Sequence, residues 1–162
     1  MPAEHVVAML RERVYGAISC LATLAVLTRY TGDDTSAWTR MIDVAVTMGG
    51  LWSASLLADW VAHLGAHERP PRGVAIWRML QASGQILQAS VLPLLALATS
   101  GIGVIETDTA MWIAQWILVG ELTVIAFAAV RKARLPGWQQ IVTVLLLTGI
   151  GMLVIGIKVL AH

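Results

Sequence analysis

AMWIAQWILVGELTVIAFAAV (Ala110–Val130) decides the fold class. Glu121 is its only charged residue, and it contains no proline. A helix of about 20 such residues crosses about 30 Å of hydrocarbon at about 1.5 Å per residue. Four more stretches of this kind flank it: about Val14–Tyr30, Met41–Leu64, Gln81–Ile105 with Pro93 inside, and Trp138–Leu160. The breaks between them are sharp. Thr31-Gly32-Asp33-Asp34 is a turn, Arg69-Pro70-Pro71-Arg72-Gly73 a stop, Glu106-Thr107-Asp108 a short acidic link, and Arg131–Gly137 a basic link ending in Pro-Gly. Backbone groups in lipid must be satisfied within the segment, so the expected fold is all-α. We expect a polytopic membrane helix bundle of five transmembrane helices, forming one integral membrane domain over residues 1–162.

Composition agrees. Hydrophobic residues make up 57%, charged residues 13%, and mean hydropathy is +0.74. Soluble chains run about 45–50% apolar and about 25% charged. A soluble enzyme, a nucleic-acid module and a disordered chain are thereby excluded as first readings. Net charge is +1, which gives no strong electrostatic steering. Cys20 is the only cysteine, so neither an intrachain disulfide nor thiol-pair chemistry can form. Arginine far outnumbers lysine and asparagine is absent, a codon signature that points to a bacterial cytoplasmic (inner) membrane. The first span has arginines before it, but it lacks a small-x-small cleavage site and is expected to be retained.

Lysine and arginine bookkeeping sets the expected orientation. With the N-terminus inside, the inner side carries Arg11, Arg13, Arg69, Arg72, Arg78, Arg131, Lys132 and Arg134, and the outer side only Arg29, Arg40 and Lys158. The expectation is N-in and C-out. Tyr30, Trp38 and Trp112 then fall at the outer interface, and Tyr15, Trp60, Trp77 and Trp138 near the inner one.

Function in such a chain is sought where expensive residues are tolerated. A carboxylate at the bilayer centre costs about 2.5–3.5 kcal/mol on insertion scales. Glu121, near the middle of its span, is the deepest. Two readings compete for it: a donor that locks helices, or a proton or cation site. Ser55, Asp59, His63 and His67 follow at i, i+4, i+8 and i+12, one stripe along the second span. An Asp one turn before a His can orient the imidazole or share a metal with it. His63, His67 and Asp59, with Glu68 just beyond, therefore form a candidate divalent-metal set. Gln81, Gln85 and Gln88 share one face of the third span, and Glu12 opens the first, so polar groups of three spans gather toward the inner side. Packing alone would account for such a cluster at about 0.6–2 kcal/mol per bond. Asp43 and Lys158 form a candidate structural pair on the outer side. Gly50, Ala54, Ala58 and Ala62 form a small-residue stripe through which another helix, or a second copy of the chain, could approach.

No glycine-rich phosphate loop, Gly-x-Ser-x-Gly elbow or Cys-x-x-Cys pair occurs. The leading expectation is a channel or transporter for protons, a cation or a small polar solute, using Glu121, Asp59, His63, Glu12, Gln85 and Gln88. The alternatives are a non-catalytic accessory subunit of a membrane complex and a metal-dependent intramembrane enzyme. No cofactor is evident beyond a possible divalent metal. The expected partners are the lipid bilayer and either further copies of the chain or another membrane protein, not nucleic acid. Arg13-Val14-Tyr15-Gly16-Ala17-Ile18, then His63 and His67, then Ser90-Val91-Leu92-Pro93 resemble the order of features in bacterial relatives of the endolysosomal potassium channel. Those proteins carry Phe-Ser-Asp-Gly where this chain has Val14-Tyr15-Gly16-Ala17, and they have one helix more. The resemblance covers about the first 100 residues and implies a channel.

Overall fold

The structure, a computed structural model, describes residues 3–30, 35–132 and, in the last segment, 137–139, 141–143, 145–146 and 148–149. Four helices follow one another: α1 (Ala3–Tyr30), α2 (Ala37–His67), α3 (Val74–Gly101) and α4 (Thr107–Lys132). The described residues between 137 and 149 are helical as well, and they fall within the expected fifth span. The rest of that span, with the Asp43–Lys158 pairing, lies outside the described residues. No strand occurs among the described residues. Ala37–His67, Val74–Gly101 and Thr107–Arg131 are each long and apolar enough to cross a membrane. These three helices support a membrane protein, whereas α1 is not among them.

Local chemistry sets the helix ends. Ser36 caps α2 by accepting from the Thr39 amide at 3.2 Å. Glu68 ends it in a left-handed conformation, φ 52°, with its amide donating to Leu64 O at 2.9 Å. α3 ends four residues before the expected limit of Ile105. Gly103 adopts φ 78°, and its amide donates to Ser100 O at 2.8 Å while Val104 donates to Thr99 O at 3.0 Å. This turn satisfies the last carbonyls and stops the helix. Pro93 is carried inside α3, where it cannot donate to the Ala89 carbonyl.

α1 departs most from expectation. The sequence reading starts it at Val14, after Arg11-Glu12-Arg13, but the helix begins at Ala3. Those three charged residues therefore lie within the helix rather than at its mouth. Arg11 and Glu12 pair with each other and Arg13 pairs with Glu121 of α4, which makes this tolerable.

α1 and α3 pack along each other, α2 lies mainly against α3, and α4 rests on both α1 and α3. Gly16 permits the closest approach. A Cβ there would stand 2.8 Å from the Ile86 Cα, a distance real side chains do not reach. Around it Ala17, Leu21 and Leu24 of α1, Ile86 and Leu97 of α3, and Leu118 of α4 are fully buried. The α2 contribution is confined to its first half, through Ala37, Arg40, Val44 and Met48. At that end Trp38 Nε1 donates to Gly101 O at 3.0 Å, and Gln115 Nε2 donates to Thr28 Oγ1 at 3.2 Å. Arg40, counted from sequence as an outer surface charge, is buried, with Nη1 3.6 Å from Asp108 Oδ1. Gly50, Ala54, Ala58 and Ala62 are exposed, and Ala54 and Ala58 border a groove between α2 and α1, so the stripe is not buried against a helix among the described residues. The inward face of α2 is its polar stripe, on which Ser55, Asp59 and His63 are half-buried.

Candidate functional site

Four helices bring polar side chains to one level. Rise along the helix places Arg13 about 25 Å from Tyr30, Gln85 about 24 Å from Gly101, Glu121 about 21 Å from Thr107 and Ser55 about 27 Å from Ala37. All four reference ends lie on the same side of the bundle, where Trp38 meets Gly101 and Gln115 meets Thr28. In about 30 Å of hydrocarbon, this layer sits below the middle, toward the N-terminal side.

Two clusters occupy the layer, on different faces of α1. In the first, Arg13 Nε donates to Glu121 Oε1 at 2.6 Å. Arg13 Nη1 also donates to Gln88 Oε1 at 3.2 Å and to Gln85 Oε1 at 3.4 Å. The Glu121 side chain is 11% exposed and that of Arg13 33%. One guanidinium thus joins α1 to α3 and α4. In the second cluster, Glu12 Oε1 accepts from Arg11 Nη2 at 2.9 Å, and Glu12 Oε2 accepts from Ser55 Oγ at 2.9 Å. Glu12 is buried although its neighbour Arg11 is exposed. Asp59 stands one turn beyond Ser55 on α2 and makes no hydrogen bond to a described residue. Arg11, Glu12, Tyr15, Ser55, Ala58 and Asp59 line a groove of about 300 Å³ between α1 and α2.

The sequence-derived candidates divide accordingly. Glu12, Asp59, Gln85, Gln88 and Glu121 all lie in or beside the layer. Glu121 and Asp59, read from sequence as halves of one path, do not share a site. They belong to separate clusters that meet only through α1, where Glu12 and Arg13 are consecutive. His63 and His67 stack on each other, with ring centroids 4.3 Å apart and planes at 18°. Among the described residues no group of three or more His, Cys, Asp or Glu side chains converges as a metal site. The metal set of Asp59, His63 and His67 is therefore not assembled.

Arg13 is the functional residue that sequence reasoning missed as a partner. Its signal was present: a carboxylate as deep as Glu121 needs a cation, and Arg13 matches its level once α1 is drawn from Ala3. His5 was missed for the same reason. It is buried, and its Nε2 lies 3.2 Å from Gln81 Oε1.

No protein-family model matches the chain, and no curated protein or solved structure matches it either. The resemblance of the first spans to the potassium-channel relatives gains no support from these comparisons.

Proposed function

We propose that the chain is a multi-pass membrane protein of five spans, N-in and C-out, that passes protons or a small cation through the α1–α2 groove. The observation that carries this reading is the pair of carboxylates in that groove. Glu12 is already held by Arg11 and Ser55, while Asp59 faces the same space without a hydrogen-bond partner among the described residues. A hydrogen-bonded carboxylate beside one without a hydrogen bond among the described residues, at the edge of hydrocarbon, is an arrangement that can take up and release a positive charge. The Arg13–Glu121 pair is already charge-neutral, and we assign it to holding the bundle closed rather than to carrying the ion. This moves the transport role from Glu121 to Asp59 and Glu12.

The test is proton or alkali-cation flux into liposomes under an imposed gradient. Wild-type protein should give protein-dependent flux, and Asp59→Asn should lose most of it while remaining folded. Equal flux in both, or none in wild type under any gradient, refutes the reading.

A second reading, an accessory subunit, is favoured by the exposed small-residue stripe of α2. Gly50, Ala54, Ala58 and Ala62 are exposed there, with Ala54 and Ala58 at the rim of the α1–α2 groove. Such a face suits another helix of a membrane complex or of a second copy. Purification of wild type with a stoichiometric partner, lost on Ala58→Leu, would favour it.

A further inference from the structure

A separate groove lies between α1 and α3, of about 310 Å³, lined by Met9, Trp77, Gln81, Gly84, Gln85 and Gln88. We propose that it binds a neutral ring bearing two carbonyl oxygens on an apolar tail, of the quinone class, entering sideways from the lipid.

The hydrogen bonding of the glutamines selects the ligand. Arg13 Nη1 donates to Oε1 of both Gln85 and Gln88, which turns the acceptor ends of these amides toward the arginine. The Gln85 amide nitrogen is occupied, donating to Gln81 O at 3.4 Å. The Gln88 amide nitrogen has no acceptor among the described residues. Gln81 presents Oε1 to His5 Nε2 at 3.2 Å, and its own nitrogen likewise has no acceptor among them. The groove thus offers two amide donors and calls for acceptors. Gln81 and Gln88 are separated by about 10.5 Å of helix rise. A six-membered ring with opposed carbonyls, accepting a hydrogen bond of about 2.9 Å at each end, is of the same length as that backbone interval.

Shape and charge point the same way. Gly84 lies between the two donors, and the space where its Cβ would be is open within 4 Å, so the floor is flat. The Trp77 indole is 61% exposed at the mouth and offers an aromatic face. Arg13 is already neutralised by Glu121 at 2.6 Å, which disfavours a phosphate and suits an uncharged ligand. Gln88 stands about 20 Å and Gln81 about 30 Å from the Gly101 end, at the inner half and boundary of the hydrocarbon. Amide donors at that depth gain from a partner that lipid tails cannot supply.

The test is titration of the purified full-length protein in detergent with a short-tailed benzoquinone, followed by tryptophan fluorescence. Quenching should saturate, and Trp77→Phe should reduce its amplitude. Gln81→Leu and Gln88→Leu should each weaken the Kd about ten-fold, about 1.4 kcal/mol. Gly84→Leu fills the groove while leaving every hydrogen-bonding side chain of the polar network in the sequence. It should abolish saturation at unchanged Tm, which keeps the test decisive should a glutamine variant fold poorly. Linear, non-saturating quenching in every protein would show partition into the micelle and overturn the proposal. Retention of wild-type Kd by Gly84→Leu would also overturn it. So would displacement of the quinone by a short-chain phospholipid at concentrations below the quinone Kd.

Discussion

Glu12 and Arg13 are adjacent in sequence but serve different helices. About 100° of rotation per residue turns Glu12 toward α2 and Arg13 toward α3 and α4. A single turn of α1 therefore ties three neighbours together. The Ser55 hydroxyl bonds one oxygen of Glu12, and Arg11 holds the other. Ser55→Ala removes one donor and leaves the charge compensated, so it should cost about 1 kcal/mol. Arg11 is mostly exposed, but its removal leaves the buried Glu12 carboxylate without that cation. Thermal unfolding in detergent should thus rank Ser55→Ala as mild, Glu12→Leu, which leaves its arginine to solvent, as intermediate and Arg11→Ala as the most severe. Equal Tm values across the three would contradict the role given to Glu12.

At the scale of the helices, apolar run length carried most of the information. The spans of α2, α3 and α4 were legible because long runs of Leu, Val, Ile and Ala need no partner to be recognised. The start of α1 was not, because Arg11-Glu12-Arg13 reads as a boundary unless its partners on other helices are known. Glu121 is legible as an anomaly that calls for a cation, but depth alone does not say which arginine answers it, since the two helices are so far apart in the chain. The polar layer was legible in part: Gln81, Gln85 and Gln88 share a face by spacing alone. The small-residue stripe on α2 is legible by spacing, but its exposure is not, because periodicity gives a face without saying what lies opposite. Gly16 drew attention only within a family resemblance, yet it sets the α1–α3 approach. Gly16→Val would drive a side chain into the Ile86 backbone and separate the helices, with an expected loss of about 3 kcal/mol or more. Gly84→Ala, where nothing stands within 4 Å, should change stability by less than about 1 kcal/mol. Denaturation of both variants in one detergent checks the contrast.

For the whole molecule, burial of Arg40 and the pairing of half-buried Arg13 with Glu121 alter the charge tally without reversing it. Arg13 enters the bundle and Arg40 is buried at the opposite end, which leaves seven inner charges against two outer ones under the proposed orientation. That excess still favours N-in. Single cysteines at Asp108 and Arg72, with the buried Cys20 left in place, should react with impermeant maleimide from opposite sides of the membrane. Labelling of both from one side would refute the arrangement.

The most direct measurement is a double-mutant cycle on Arg13 and Glu121, read as unfolding free energy in detergent. Breaking a buried pair by removing one partner costs about 3–5 kcal/mol, whereas replacing both by apolar groups is often near neutral. Arg13→Met and Glu121→Leu should each be strongly destabilising, and the double variant should recover most of the loss, giving a coupling of at least about 2 kcal/mol. Additive effects, or single variants as stable as wild type, would show that the pair does not join α1 to α4 and would contradict a polar layer built across the bundle.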